Sequence, residues 1–288
     1  MQHQPVLLDE VERYLAIREN GVYCDCTLGA TGYAVRILSR GARLIAIDRD
    51  ETALEAGKKK LESFGEKVTY YHGSYGEIEK AAASAAPLAG IVADLGFSRT
   101  QIDDPERGLS FQHDGPLDMR YDRSQGETAA DILNHQSERE LADLFYGLGG
   151  ERKSRQIANA IMRARPIRST GHLRELIEKT VRRGKGQNIH PATQTFQALR
   201  IAVNDELGEL DKLLEAGPGL LEPGGRLAVV SFHSLEDGRV KRAFRSRSKQ
   251  DGYELLTKNV VRPTDEEVQR NPASRSAKLR VLAKRELS

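Results

Sequence analysis

Residues 22–50 constrain this chain more than any other stretch. They run VYCDCTLGATGY, then a helical pattern over residues 33–39, then RLIAIDRD. A β-rich run (22–26) enters a loop holding Gly29 and Gly32, and a second apolar run (44–47) ends in Asp48. Strand, glycine turn, helix, strand and acid in that order make a βαβ unit, whose parallel strands must be covered by helices. Glycines let the backbone take φ > 0 or approach a ligand closely, and a helix starting near Gly32 points free N–H groups at that ligand. Asp48 lies 19 residues after Gly29, at the tip of the second strand, where a carboxylate accepts hydrogen bonds from ribose hydroxyls. Two readings fit these residues: an ordinary βαβ unit with a glycine turn, or an adenosine-cofactor site. The G-x-x-G spacing lacks the further glycine that seats a dinucleotide pyrophosphate, which argues against NAD. S-adenosylmethionine carries a sulfonium cation and no phosphate, and Asp25, Asp48 and Asp94 suit such a ligand.

The alternation continues downstream. Residues 51–64 read as an amphipathic helix, 67–72 as a third strand leading to Tyr75, 77–86 as a helix, and 88–93 as a buried fourth strand ending in Asp94. Such a chain winds into a doubly wound, mostly parallel α/β sheet, with ligands outside the carboxyl ends of its strands. Asp25, Asp48, Tyr75 and Asp94 all fall at such ends. Tyr75 is placed either to pack on an adenine or to cover the sheet edge, and residues 4–17 read as a helix that caps the sheet or lies over the cofactor mouth. At Leu95 the rhythm stops. Residues 95–124 form a long loop rich in Gly, Pro, Asp and Arg, to which Leu109, Phe111, Leu117 and Met119 give something to bury. Arg107 and Arg120 have Asp104, Asp118 and Asp122 as nearby partners. Helices are predicted over 128–148, 153–163 and 172–183, and a further helix from about Asn204 returns to the core. Pro223, Gly224 and Gly225 precede a fifth strand over 226–232, and 253–258 and 278–284 read as closing strands. Residues 1–103 and 204–288 are thus expected to form a discontinuous cofactor-binding domain, and 104–203 an inserted, mainly helical substrate-recognition domain.

A chain of 288 residues with 39% hydrophobic and 30% charged residues and no long apolar run excludes a membrane-spanning protein. The start MQHQPVLLDE has no basic and then apolar leader pattern, so a cytoplasmic location is expected. Cys24 and Cys26, two apart on one strand face, read as reduced core residues, and no ligand cluster demands a metal. The net charge of +2 hides a segregation: residues 152–185 carry +9 and residues 236–288 carry +6, which leaves about −13 elsewhere. Two basic zones on an acidic remainder suit a polyanion such as nucleic acid.

HQPVLLDE, DCTLGATGY, IDRD, DLGFSRTQIDDPERGLSF, DGPLDMRYD, HPATQTFQALRIAVNDEL, PGGRLAVVSFHSLED and NPASRSAKLR, in this order from His3 to Arg280, closely resemble the bacterial small-subunit ribosomal RNA cytosine-N4 methyltransferase family. The resemblance implies a class I, Rossmann-like methyltransferase fold with an inserted helical domain. It also implies S-adenosyl-L-methionine as cofactor, and as substrate a cytidine in the decoding region of the small-subunit ribosomal RNA, free or in the assembling 30S subunit. Oligomeric state stays open, a homodimer included. Carried over by position, the cofactor contacts fall on Thr31, Gly32, Tyr33, Asp48, Tyr75, Asp94 and Gln101. The chain has Thr31-Gly32-Tyr33 where the family usually has G-G-H, Tyr75 for phenylalanine, DLGFSR for DLGVSS, MRYD for MRMD, GGER for GEER, and SFHSLEDG for SFHSLEDR.

Methylating the N4 amine of cytosine requires a hydrogen-bond acceptor that orients a delocalised lone pair toward the sulfonium methyl. Asp94 is the first candidate; His233 and Asp237, after the fifth strand, are the second, for amine contact or proton removal. Phe97, Phe111, Tyr121 and Phe232 are candidates to stack an unstacked base, and residues 152–185 and 275–280 to grip phosphate. The competing reading is an RNA-binding assembly factor of the same fold that no longer turns over.

Overall fold

The computed structural model describes residues 5–181, 190–250 and 252–286, with backbone alone at 99 and 100. It contains two compact units, Met1–Gly96 with Leu207–Ser288, and Phe97–Glu206.

The first unit opens with α1 (Leu8–Leu15), β1 (Val22–Asp25), α2 (Gly32–Ser39), β2 (Arg43–Asp48), α3 (Glu51–Leu61), β3 (Val68–His72), α4 (Ile78–Ala81) and β4 (Leu88–Asp94). Every residue of β4 before Asp94 is buried, as a strand covered on both faces requires. Cys24 and Cys26 are buried free thiols, their sulfurs 3.7 Å apart. Asp50 caps α3 by accepting the Thr52 N–H at 3.0 Å.

The second unit holds α5 (Arg99–Asp103), α6 (Ala129–His135), α7 (Glu138–Gly149), α8 (Ser154–Ala164), α9 (Thr170–Thr180) and α10 (Thr193–Asn204). The single helix predicted over 128–148 is two: Gln136 is extended, and Ser137 opens α7 with a capping box to Glu140. Residues 182 and 183, at the end of the helix predicted over 172–183, lie outside the described residues. The long loop is ordered by burial and by polar clamps. Leu109, Leu117 and Met119 join the core of α6–α10, and Phe111 stacks on His190 and meets Phe196 edge-on. Asn204 accepts the Tyr121 N–H and donates to the Met119 carbonyl, each at 2.8 Å, so a helix end holds the loop at two peptides. Arg120 grips both oxygens of Asp118 at 2.8 and 2.9 Å, and Arg107 lies 3.8 Å from Asp104.

The chain then runs through α11 (Glu206–Ala216), β5 (Leu221–Ser231), α12 (Ser234–Arg247), β6 (Tyr253–Leu255), α13 (Asp265–Arg270) and β7 (Lys278–Lys284). The helix predicted from about Asn204 is present as α11, which begins at Glu206 after a break: α10 ends at Asn204 and Asp205 takes φ 46°. Strand β5 starts before Pro223, earlier than predicted, because the strand absorbs the Pro-Gly-Gly run as an irregularity. Pairing with β4 jumps from Leu88↔Leu221 to Gly90↔Arg226, and a side chain at Gly225 would meet the Leu88 carbonyl at 2.8 Å. The sheet order is β3-β2-β1-β4-β5-β7-β6, and β7 runs antiparallel to both neighbours. Winding reverses between β1 and β4, so the crevice at their carboxyl ends is the expected ligand position.

Candidate active site

Three carboxylates stand at that crevice. Asp25, fully buried at the end of β1, accepts the Thr27 N–H at 3.1 Å through Oδ1, while its Oδ2 is buried with no hydrogen-bond partner. Burial, opposed by that N–H and helped by the charge of Asp48, lifts its pKa to about 7. Asp94 ends β4 next door. Its N–H donates to Thr27 Oγ1 at 2.7 Å, its own Oδ1 is buried without a partner, and burial with the charges of Asp25 and Glu236 holds its pKa well above the carboxylate range. Asp48, at the end of β2, accepts N–H groups from Gly29 at 2.8 Å and Asp50 at 2.9 Å. Burial still raises its pKa to about 6. Two orphaned oxygens and three raised pKa values describe a place prepared for a cation or for hydroxyl and amine donors. An adenosine sulfonium offers both.

The glycine loop differs from its prediction in one respect. Gly29 does take a positive φ of 43°, but Gly32 is helical and is required by space: a Cβ there would lie 1.8 Å from Pro5 Cγ. The left-handed residue is Thr31, at φ 73°, the position where the family usually has glycine. For a β-branched side chain this conformation is strained by about 1–3 kcal/mol. Tyr33 is buried and donates from its hydroxyl to the Val6 carbonyl, and the Leu7 N–H donates to Glu267 Oε1 at 2.8 Å. Residues 5–7 therefore lie over the loop, tied to α2 and α13. The sequence singled out neither Val6, which acts through its backbone carbonyl, nor Glu267, whose carboxylate meets a backbone N–H 260 residues away in the chain.

At the carboxyl end of β5, Glu236 is buried and its Oε2 accepts the N–H groups of Phe232 at 2.9 Å and His233 at 3.3 Å. Its Oε1 sits 3.1 Å from His233 Nε2, close enough for charge pairing though off the line of a hydrogen bond. Asp237 is held otherwise: Arg280 donates to Oδ1 at 2.7 Å and Lys278 lies 3.4 Å from Oδ2. Burial would raise its pKa, but Arg280 and Lys278 outweigh it and keep the carboxyl below its usual range. A carboxylate so held is a poor proton acceptor and a good strut between α12 and β7. Tyr75 follows β3 as the first residue of a 3-10 turn capped by Ser74 and packs, half-buried, against the sheet core.

Other expected contacts lie in the second unit. Gln101 sits in α5, where its Oε1 accepts the Ser98 N–H at 2.8 Å in a capping box. Three of the four stacking candidates are engaged there: Arg200 lies over Phe97 at 4.7 Å, Phe111 stacks with His190, and the Tyr121 hydroxyl donates to Glu206 at 2.8 Å. Phe232 packs against the core of the first unit. In the basic zone, Arg165 donates to the Leu133 and Gln136 carbonyls, whereas Arg152, Lys153, Arg155, Arg163 and Arg168 are exposed. Arg182, Arg183 and Lys185 lie outside the described residues. No helix among the described residues is long and apolar enough to cross a membrane.

The profile of the MraW methylase family matches residues 1–285. The chain is 48% identical over 289 residues to a protein of Solibacter usitatus named ribosomal RNA small subunit methyltransferase H, covering 98% of this chain and 100% of that one. A protein of the same name from Koribacter versatilis is 49% identical over 295 residues, covering 98% and 94%. One from Sorangium cellulosum is 49% identical over 285 residues, covering 97% and 90%.

Proposed function

The chain belongs to the MraW methylase family, and from that premise we propose that it methylates N4 of a cytidine in the decoding region of small-subunit ribosomal RNA. It uses S-adenosylmethionine, and it works in the cytoplasm as a monomer or homodimer on free RNA or the assembling small subunit. The sheet order, with β7 alone reversed, is that of class I methyltransferases. The observation that carries the reading is the pair of orphaned carboxylate oxygens on Asp25 and Asp94.

The cofactor supplies an electrophilic methyl on a positively charged sulfur. Asp48 is set for the ribose hydroxyls, because each of its oxygens keeps a lone pair after accepting one N–H. Thr31, Gly32 and Tyr33 shape the start of α2, and Tyr75 borders the adenine position. Asp94 orients the amine: its Oδ1 accepts an N4–H and turns the nitrogen lone pair toward the methyl. His233, with Glu236 beside Nε2 to stabilise an imidazolium, takes the proton that N4 releases. Asp237 positions α12 through Arg280 rather than touching substrate. The unit 97–206, with its exposed cations, recognises the RNA.

The test is transfer of labelled methyl from S-adenosylmethionine to small subunits isolated from cells lacking the modification, followed by nucleoside analysis. N4-methylcytidine is the expected product. Cofactor binding without any transfer would replace this reading with that of an RNA-binding assembly factor.

A further inference from the structure

Helix α12 begins at the catalytic edge and carries cations along its length: Arg239, Lys241, Arg242, Arg245 and Arg247, with Lys249 just beyond. They fall into two groups. Arg239 pairs with Asp211, and Arg247 donates to the Glu215 carbonyl at 3.0 Å and covers the Tyr253 ring at 5.4 Å. Lys241, Arg242, Arg245 and Lys249 are exposed, and none has a carboxylate partner among the described residues. Positions 238, 242 and 245 follow the i, i+4, i+7 spacing of one helix stripe, about 10 Å long at 1.5 Å per residue, and Lys249 follows in the turn beyond the helix end. At its inner end stands Gly238, next to Asp237. A Cβ there would lie 3.2 Å from Arg242 Nη1, so the Arg242 guanidinium reaches back one turn along the exposed face toward the N-terminal end of α12. Position 238 is also where SFHSLEDG departs from SFHSLEDR.

Long cationic side chains without acid partners are what a phosphate backbone neutralises, and an arginine folded toward the reaction edge is placed for the phosphate nearest the reacting base. We propose that the Arg242–Arg245 stripe, with Lys249 beyond it, is the track along which single-stranded RNA enters the methylation edge, with Arg242 holding the phosphate beside the target nucleotide. This rests on the RNA-methylating reading above and names the surface that serves it. The stripe lies within the second basic zone, residues 236–288, but outside the 275–280 segment singled out there for phosphate, and it falls in a helix where Arg239 and Arg247 are spent on structure.

The test compares wild type, Arg242→Ala/Arg245→Ala, Arg242→Lys and Arg239→Ala in binding a labelled single-stranded decoding-region RNA across a salt series, with S-adenosylmethionine binding as the check on folding. The double variant should bind RNA about tenfold more weakly, and its slope of log affinity against log salt should fall by about 1.4, two phosphates at about 0.7 each. Arg242→Lys should keep most of the slope, and Arg239→Ala should match wild type. An unchanged slope in the double variant, with cofactor binding intact, would overturn the track; so would an equal loss in Arg239→Ala. If the double variant loses cofactor binding, the two single substitutions are read by the same slope criterion. A wild type that binds RNA in this salt-dependent way yet makes no N4-methylcytidine would sink the enzymatic reading and leave the track standing.

Discussion

Asp25, Asp48 and Asp94 of the first unit and three aspartates of the second are handled in opposite ways. In the second unit Asp114, Asp118 and Asp131 are partnered. Asp114 accepts from Ser169 and the Gly171 N–H, and Asp131 from Thr128. Asp118 is raised by burial, but Arg120 outweighs that. All three have lowered pKa values. On the sheet edge of the first unit Asp25, Asp48 and Asp94 are raised, with burial the largest cause in each. Acids satisfied by charge partners or caps stabilise the fold that holds them, whereas buried acids with incompletely satisfied oxygens, as on Asp25 and Asp94, destabilise it and persist where a ligand completes them.

Substitutions should divide along that line. The largest effect is expected from Asp94→Ala, which should lower methyl transfer about a hundred- to a thousandfold, the scale of one lost electrostatic contact at a reacting centre, while the protein stays folded. Substantial turnover would remove Asp94 from the mechanism. Next is Asp25→Asn. Between the unfolded pKa of 3.8 and the folded pKa of about 7 the native state binds more protons than the unfolded one, so this group's contribution to stability falls as pH rises through that window. The cofactor-free variant should match wild type near pH 4 and exceed it by about 2–4 kcal/mol at pH 8. Denaturant titrations at the two pH values decide it, and equal gains at both would mean that Asp25 is not a neutralised buried acid. The matching change in the second unit has the opposite sign: Asp118→Asn should destabilise by about 2 kcal/mol, because Arg120 is left without its charge partner.

Much of this was legible in the strands. Runs such as LAGIVAD declare a strand buried on both faces, and an acid that ends such a run can only stand at its carboxyl edge. Asp25, Asp48 and Asp94 do end β1, β2 and β4. What stayed hidden was carried by backbone. The Pro-Gly-Gly of β5 reads as a stop but forms an irregularity inside a strand; Thr31 gives no sign of a left-handed φ; and the cover that Val6 and Leu7 make over the glycine loop uses a carbonyl and an N–H that every residue has. Asp237 was singled out for its position beside His233, but its role follows from Lys278 and Arg280, which stand more than forty residues on and meet it only through β7 pairing with β5.

The smallest effect tests that hidden layer. Thr31→Gly should relieve the strain at φ 73° and raise stability by about 1 kcal/mol, less whatever the added glycine entropy costs the folded state. A loss of more than about 1 kcal/mol would mean that the Thr31 side chain, which is buried and donates to the Ala30 carbonyl, matters more than its backbone strain.

The contrast between the two sets of acids rests on one physical claim, that the sheet edge awaits a cation. Calorimetry of S-adenosylmethionine binding near pH 7, in two buffers of different ionisation enthalpy, counts the protons involved, with S-adenosylhomocysteine as the comparison that lacks the sulfonium charge. A sulfonium beside Asp25 and Asp94 should favour their ionised forms, so S-adenosylmethionine should release protons on binding and release more of them than S-adenosylhomocysteine does. Equal proton counts for the two ligands, or uptake by the charged one, would contradict the assignment of these carboxylates to the cofactor's charge.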